Sequence, residues 1–196
     1  MNAADVAAIR SRIARAHALA AARFRETFAA GGAPAELHLE ILAAALLECA
    51  GHVRVLGTIH YEIADGMTTP YVERGRPVFP FFDIERTPAA IFEYWLVISE
   101  ILASPAWHVT KLIADHDEYD EALNRMKSPQ IVRAIPPPLP PAVELRDDGT
   151  ALLDVTVYTR AGEERIERRT LLLDVMNELH FHSRELIAEG RGGVRV

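Results

Sequence analysis

A chain of 196 residues and 21.7 kDa has room for one sizeable hydrophobic core or two small ones. Hydrophobic residues at 49%, charged residues at 25% and a mean hydropathy of +0.04 exclude wholesale disorder, collagen and coiled-coil arrays. The one cysteine, Cys49, excludes an internal disulfide and a zinc-thiolate cluster, and a net charge of -7 argues against nucleic acid as the partner.

In chain order, Val6, Ile9, Ile13, His17, Ala20, Phe24 and Phe28 recur every three or four residues, which predicts an amphipathic helix over 5–30 stopped by Gly31 and Gly32. Asp5, Arg10, Arg12 and Arg15 interrupt this segment early, so no secretory leader is expected. No apolar run reaches the roughly 18 residues of a membrane span, and the chain is expected to be cytoplasmic with no membrane partner. Arginine outnumbers lysine 19 to 2 while alanine occurs 30 times, a skew of coding bias rather than of phosphate recognition.

Pro34 opens a second helix over 36–50, apolar around most of its circumference, with Gly51 at its C-terminal cap. The period then falls to two: Val53, Val55, Gly57, Ile59, Tyr61 and Ile63 alternate with His52, Arg54, Leu56, Thr58, His60 and Glu62, the pattern of one strand with a buried face. After a turn at Asp65-Gly66, residues 71–73 and 78–82 suit irregular extended pieces that Pro70, Pro77 and Pro80 confine to an edge. Thr87 followed by Pro88 reads as an N-cap with proline at the first helical position, opening an almost wholly apolar central helix through Leu102.

Residues 106–127 fit either one helix or a strand to about Asp115 followed by an acidic helix, and the second is preferred. The run 135–141 (I-P-P-P-L-P-P) predicts a stiff polyproline segment across the surface. Residues 143–146, 151–160 and 165–175 then read as an antiparallel meander, with turns at Asp147-Asp148-Gly149 and Ala161-Gly162. From Val175 onward, a helix to Gly190 and a continued strand both fit. Together these elements predict one α+β domain over 1–196, with two N-terminal helices and a central helix packed on a curved antiparallel sheet. The Pro-rich connection 135–141 separates a helix-rich N-terminal part from the C-terminal β-meander.

This order of elements resembles the cystatin-like α+β cone fold of ketosteroid isomerases, polyketide cyclases and the small subunits of ring-hydroxylating dioxygenases. Ile166-Glu167-Arg168-Arg169-Thr170-Leu171-Leu172-Leu173-Asp174 is similar to a late strand of those small subunits, and His108-Val109-Thr110 resembles the strand start after their central helix. The resemblance implies a pocket between sheet and central helix. It also implies one of two roles: a cofactor-independent isomerase, cyclase or lyase, or a non-catalytic subunit or accessory partner.

Within such a pocket, His60, Asp154 and His108 are the expected proton carriers or orienting groups, and Phe92, Trp95 and Tyr61 the expected apolar wall for a carbonyl or polycyclic substrate. His60 with Glu62, and Asp154 with Thr156 and Tyr158, would each share the polar face of a strand. Glu93 and Glu100 stand seven apart on the central helix, where a buried carboxylate must be paired, protonated or functional. His180 and His182 would share a face if 175–189 is a strand, yet no third ligand follows at a metal-binding spacing, so no metal and no cofactor is expected. Partners are a small molecule or a protein, with a homo-oligomer expected and Arg168 and Arg169 as candidates for an exposed association face.

Overall fold

A computed structural model describes residues 1–28, 34–65, 67–102, 110–133, 137–160 and 162–192. The chain is an α+β protein with a curled antiparallel half-barrel sheet. It forms two compact units, a helical one (Asn2–Ser104 with Met176–Glu178) and a sheet one (Pro105–Val175 with Leu179–Val196).

The helical unit opens with α1 (Ala3–Thr27), whose start is fixed by a reciprocal cap: Asp5 N–H donates to Asn2 Oδ1 (2.9 Å) and Asn2 N–H to Asp5 Oδ2 (3.1 Å). Helices α2 (Ala35–Cys49) and α3 (Pro88–Ile101) pack with α1 and with each other. The Thr87 hydroxyl caps α3 by accepting from Ala90 N–H (3.2 Å). Ile91, Phe92, Tyr94, Val97, Ile98 and Ile101 on α3 are all at most 1% exposed, which makes it the innermost helix of its unit.

The alternation over 53–63 does not build one strand. Strand β1 (Val53–Val55) pairs with β4 (Phe82–Ile84), and β2 (His60–Ala64) forms a separate hairpin with β3 (Met67–Tyr71). Gly57 makes the break: its φ of +134° is strained for any residue with a side chain, and a Cβ there would meet Val72 Cγ1 at 2.6 Å. The two short strands happen to keep the same parity across the break, which is why the pattern looks continuous. Pro70 sits on β3, an edge strand, while Phe79–Phe81 is a 3-10 turn rather than extended chain.

Residues Met176–Glu178 are anchored through Asn177. Its carbonyl accepts from Tyr94 Oη (2.6 Å), its Nδ2 donates to the Phe82 carbonyl (2.8 Å), and its Oδ1 accepts from Arg86 (2.8 Å). On α1 and α3, His17 Nε2 lies 3.5 Å from Glu100, and hydrogen bonding to that carboxylate raises the imidazole above its ordinary pKa against the opposing effect of burial. Because the folded value is raised, the pair stabilises the fold below the unfolded value of about 6.5 and loses that effect as pH rises through the folded value. The melting temperature of His17→Gln is therefore expected to lie below wild type at pH 5.5 and to converge with it by pH 8.5. A difference that stays constant with pH would contradict the pairing.

The sheet unit runs β5 (Thr110–Ile113), α4 (His116–Arg125), β6 (Gln130–Ile131), β7 (Ala142–Leu145), β8 (Ala151–Thr159), β9 (Glu164–Leu173) and β10 (Leu179–Gly190). Strand order is β5-β8-β9-β10-β6, with β7 also on β8, and the pairings are antiparallel. The strand-then-helix reading of 106–127 agrees with β5 and α4 where these are described. Asp115 caps α4 by accepting from Glu118 N–H (2.9 Å). The segment after Val175 is a strand, paired with β9 along its length. On one sheet face, Ile113, Tyr158, Ile166 and Ala188 pack with Tyr119, Ala122 and Met126 from α4's end of the fold and with Leu139. The proline-rich segment is therefore not simply laid across the surface: Leu139 is 2% exposed in this core and Arg168 donates to the Pro138 carbonyl.

Candidate active site

Three of the six expected site residues lie in the core of the helical unit. Phe92 and Trp95, one α-helical turn apart on α3, are 0% and 4% exposed with ring centroids 5.8 Å apart, and Trp95 Nε1 is buried without a hydrogen-bond partner among the described residues. Tyr61 on β2 is 6% exposed and donates its hydroxyl to the Ile101 carbonyl (2.9 Å). Burial, reinforced by the nearby Glu40 charge, pushes its phenol well above the ordinary range, so it acts as a neutral hydrogen-bond donor.

His60 stands beside Tyr61 on β2 and is half exposed. Its Nδ1 lies 2.9 Å from Glu40 Oε1 on α2, and its ring is 5.7 Å from that of Tyr71, the residue opposite it in the hairpin. A carboxylate facing Nδ1 favours the ring tautomer that carries its proton on Nδ1, in which Nε2 is bare. In that tautomer the basic nitrogen is turned away from the carboxylate that orients the ring, the arrangement a general base requires. Glu40 was not among the expected site residues. Glu40 is one of three acidic residues on a mainly apolar helix, with Glu36 and Glu48, and nothing in the sequence joins position 40 to position 60.

Asp154 belongs to the sheet unit and is engaged on both oxygens: Thr170 Oγ1 donates to Oδ1 (2.6 Å) and Arg168 Nη2 to Oδ2 (3.3 Å). It ties β8 to β9. Thr156 and Tyr158 share its face as the alternation predicts, but that face is largely filled by the core around Tyr158, while Thr156 is 0% exposed with its hydroxyl unpartnered among the described residues. His108 lies outside the described residues.

Two further expectations change, and the one for Glu93 is met by pairing. Arg168 and Arg169 do not form an exposed charged face: their side chains are 13% and 19% exposed and paired with Asp154 and Glu167 respectively. His180 and His182 lie on a strand, but the register shifts between Phe181 and Ser183, so the regular alternation that would align the two rings is broken at His182, while His180 Nε2 pairs with Asp174 (3.0 Å). Glu93 is buried and fully paired, accepting from Arg12 Nε (2.6 Å), Gly51 N–H (3.0 Å) and His52 N–H (2.6 Å). Its pairing arginine comes from α1.

No protein-family model, no curated protein and no solved structure matches the chain. Among the described residues, no helix is long and apolar enough to cross a membrane.

Proposed function

We propose that this protein binds a small carbonyl compound and moves a proton on it, with His60 as general base and Glu40 as the residue that orients it. The observation that carries this reading is the 2.9 Å contact between His60 Nδ1 and Glu40 on a ring that remains accessible. The reading keeps the kind of chemistry implied by the likeness to cone-fold isomerases and cyclases. It departs from it in the substrate wall, since Phe92, Trp95 and Tyr61 are committed to packing.

Isomerisation and cyclisation of carbonyl compounds both begin with loss of an α-proton, so exchange of that proton with solvent is the direct assay. A panel of cyclic and polycyclic ketones in D2O, followed by loss of the α-proton NMR signal, should show exchange accelerated by the wild-type chain. His60→Ala should reduce that rate by about a hundred- to ten-thousand-fold with an unchanged melting temperature. Catalysed exchange that survives in His60→Ala, or its absence for every ketone in the panel, would overturn the reading.

A second reading, an assembly partner that forms a homo-oligomer or serves an enzyme as accessory subunit, is favoured by Phe181 on β10 and by Ile131 and Val132 at β6, which are 60%, 55% and 53% exposed. Phe181→Lys, not the ion-paired Arg168 or Arg169, is the substitution that separates a dimer from a monomer by sedimentation.

A further inference from the structure

The sheet unit carries an open cleft of about 440 Å³ lined by Ser128, Gln130, Glu163, Glu189, Gly190 and Arg191. That volume falls within the roughly 300–1,000 Å³ of sites that take small molecules. The segments that form it are held together through Glu164, which is 4% exposed. Its carboxylate accepts from Lys127 N–H (2.7 Å) and Tyr158 Oη (3.1 Å) and lies 3.6 Å from Arg160 Nε. Its own N–H donates to the Gly192 carbonyl (2.7 Å), and Arg191 N–H donates to the Lys127 carbonyl (2.8 Å). The chain passes so close to this carboxylate that a Cβ at Gly190 would stand 3.1 Å from Glu164 Oε2, and one at Gly192 would collide with it. The cleft is thus a fixed frame.

Within that frame, four of the five polar side chains are left without partners among the described residues. Glu163 pairs with Arg165 (2.6 Å), but among the described residues the side chains of Ser128, Gln130, Glu189 and Arg191 take part in no hydrogen bond or ion pair. A half-buried carboxylate and a guanidinium, two positions apart along the chain, therefore stand in one cleft with neither bonded to the other or to anything else. Among the described residues, no aliphatic or aromatic side chain lines it, so an apolar ligand gains little from those walls. A polyanion would meet Glu163 and Glu189, and a simple cation would leave Arg191 unanswered.

We infer that this cleft binds a free polar α-amino acid. The ammonium group is held by Glu189, the α-carboxylate by the planar fork of Arg191, and the polar side chain by Gln130 and Ser128. This goes beyond the proton-transfer reading and does not depend on it, because His60 belongs to the helical unit and none of these groups is used there.

The test is a backbone-amide NMR titration of the full chain with L-glutamine. It is repeated with N-acetyl-L-glutamine, which lacks the ammonium, and with L-glutamine amide, which lacks the carboxylate. The inference expects saturable shifts at residues 128, 130 and 189–191 with a Kd of roughly 1 mM or below, and at least about a tenfold loss of affinity for each analogue. Glu189→Gln and Arg191→Gln should each weaken L-glutamine binding by a similar factor. Since the analogues need no substitution, a variant that fails to fold does not blunt the test. No saturable shift with L-glutamine, L-asparagine or L-serine, or equal binding of the N-acetylated analogue, would overturn it.

Discussion

Glu93→Ala is expected to destabilise the fold by about 3–5 kcal/mol, the range found when one partner of a buried charge pair is removed. The carboxylate is 0% exposed and holds three donors that no other described acceptor serves: the Arg12 guanidinium at 2.6 Å, the Gly51 amide at 3.0 Å and the His52 amide at 2.6 Å. Two of these donors are the first backbone amides after the C-cap of α2, so one side chain of α3 fixes where α2 ends and also grips α1. Alanine removes the one carboxylate that serves all three, and donors left without their partner are costly. For a chain of this size the loss corresponds to a fall in melting temperature of roughly 6–20 °C. Arg12→Ala on top of Glu93→Ala should add much less than it does alone, because its partner is already gone. A thermal melt of Glu93→Ala within about 1 kcal/mol of wild type would contradict this account of the helical unit.

Phe92→Ala is expected to be as severe, by about 3–5 kcal/mol, the usual cost of emptying a buried aromatic site. Phe92 is 0% exposed with its ring centroid 5.8 Å from that of Trp95, so its removal leaves a void that the neighbouring α3 residues, themselves fully packed, can fill only in part. This prediction separates two roles for the same residue. A substrate wall would lose ligand affinity and leave the melting temperature almost unchanged, whereas a core residue loses stability first. Chemical denaturation of Phe92→Ala with an unchanged midpoint would restore the pocket role.

Local chemistry was readable from the sequence wherever it is written in adjacent residues. Thr87-Pro88 marks the start of α3, the turn residues at 147–149 mark the β7–β8 connection, and the strands of the meander follow from alternation alone. The readings diverge where three-dimensional pairing decides. Gly57 interrupts a pattern whose parity is the same on either side, so alternation cannot reveal the break. Leu179, Leu186 and Ile187 suit a helix as well as a strand until pairing with β9 selects the strand. Strand β6, only Gln130–Ile131, exists because the end of β10 offers it a ladder.

The site shows the same division. His60 was recognisable as an ionisable group on the polar side of a strand, but its partner Glu40 is 20 residues away and on a helix. Arg12 and Glu93 are 81 residues apart, so the sequence could state that a buried Glu93 needs a partner and could not name it. Phe92, Trp95 and Tyr61 were correctly expected to be apolar and inward-facing, yet the pattern that buries a residue is the same whether it faces a cavity or another side chain.

The central claim is that Glu40 sets the tautomer of His60 so that Nε2 is left as the base. Long-range ¹H–¹⁵N correlation of the histidine rings in the intact protein measures this directly, because protonated and bare ring nitrogens resonate far apart. At a pH where the ring is neutral, the account predicts a protonated Nδ1 and an unprotonated Nε2 for His60, and a shift toward the opposite tautomer in Glu40→Gln. A wild-type ring with the proton on Nε2, or one whose signals do not respond to Glu40→Gln, would contradict it.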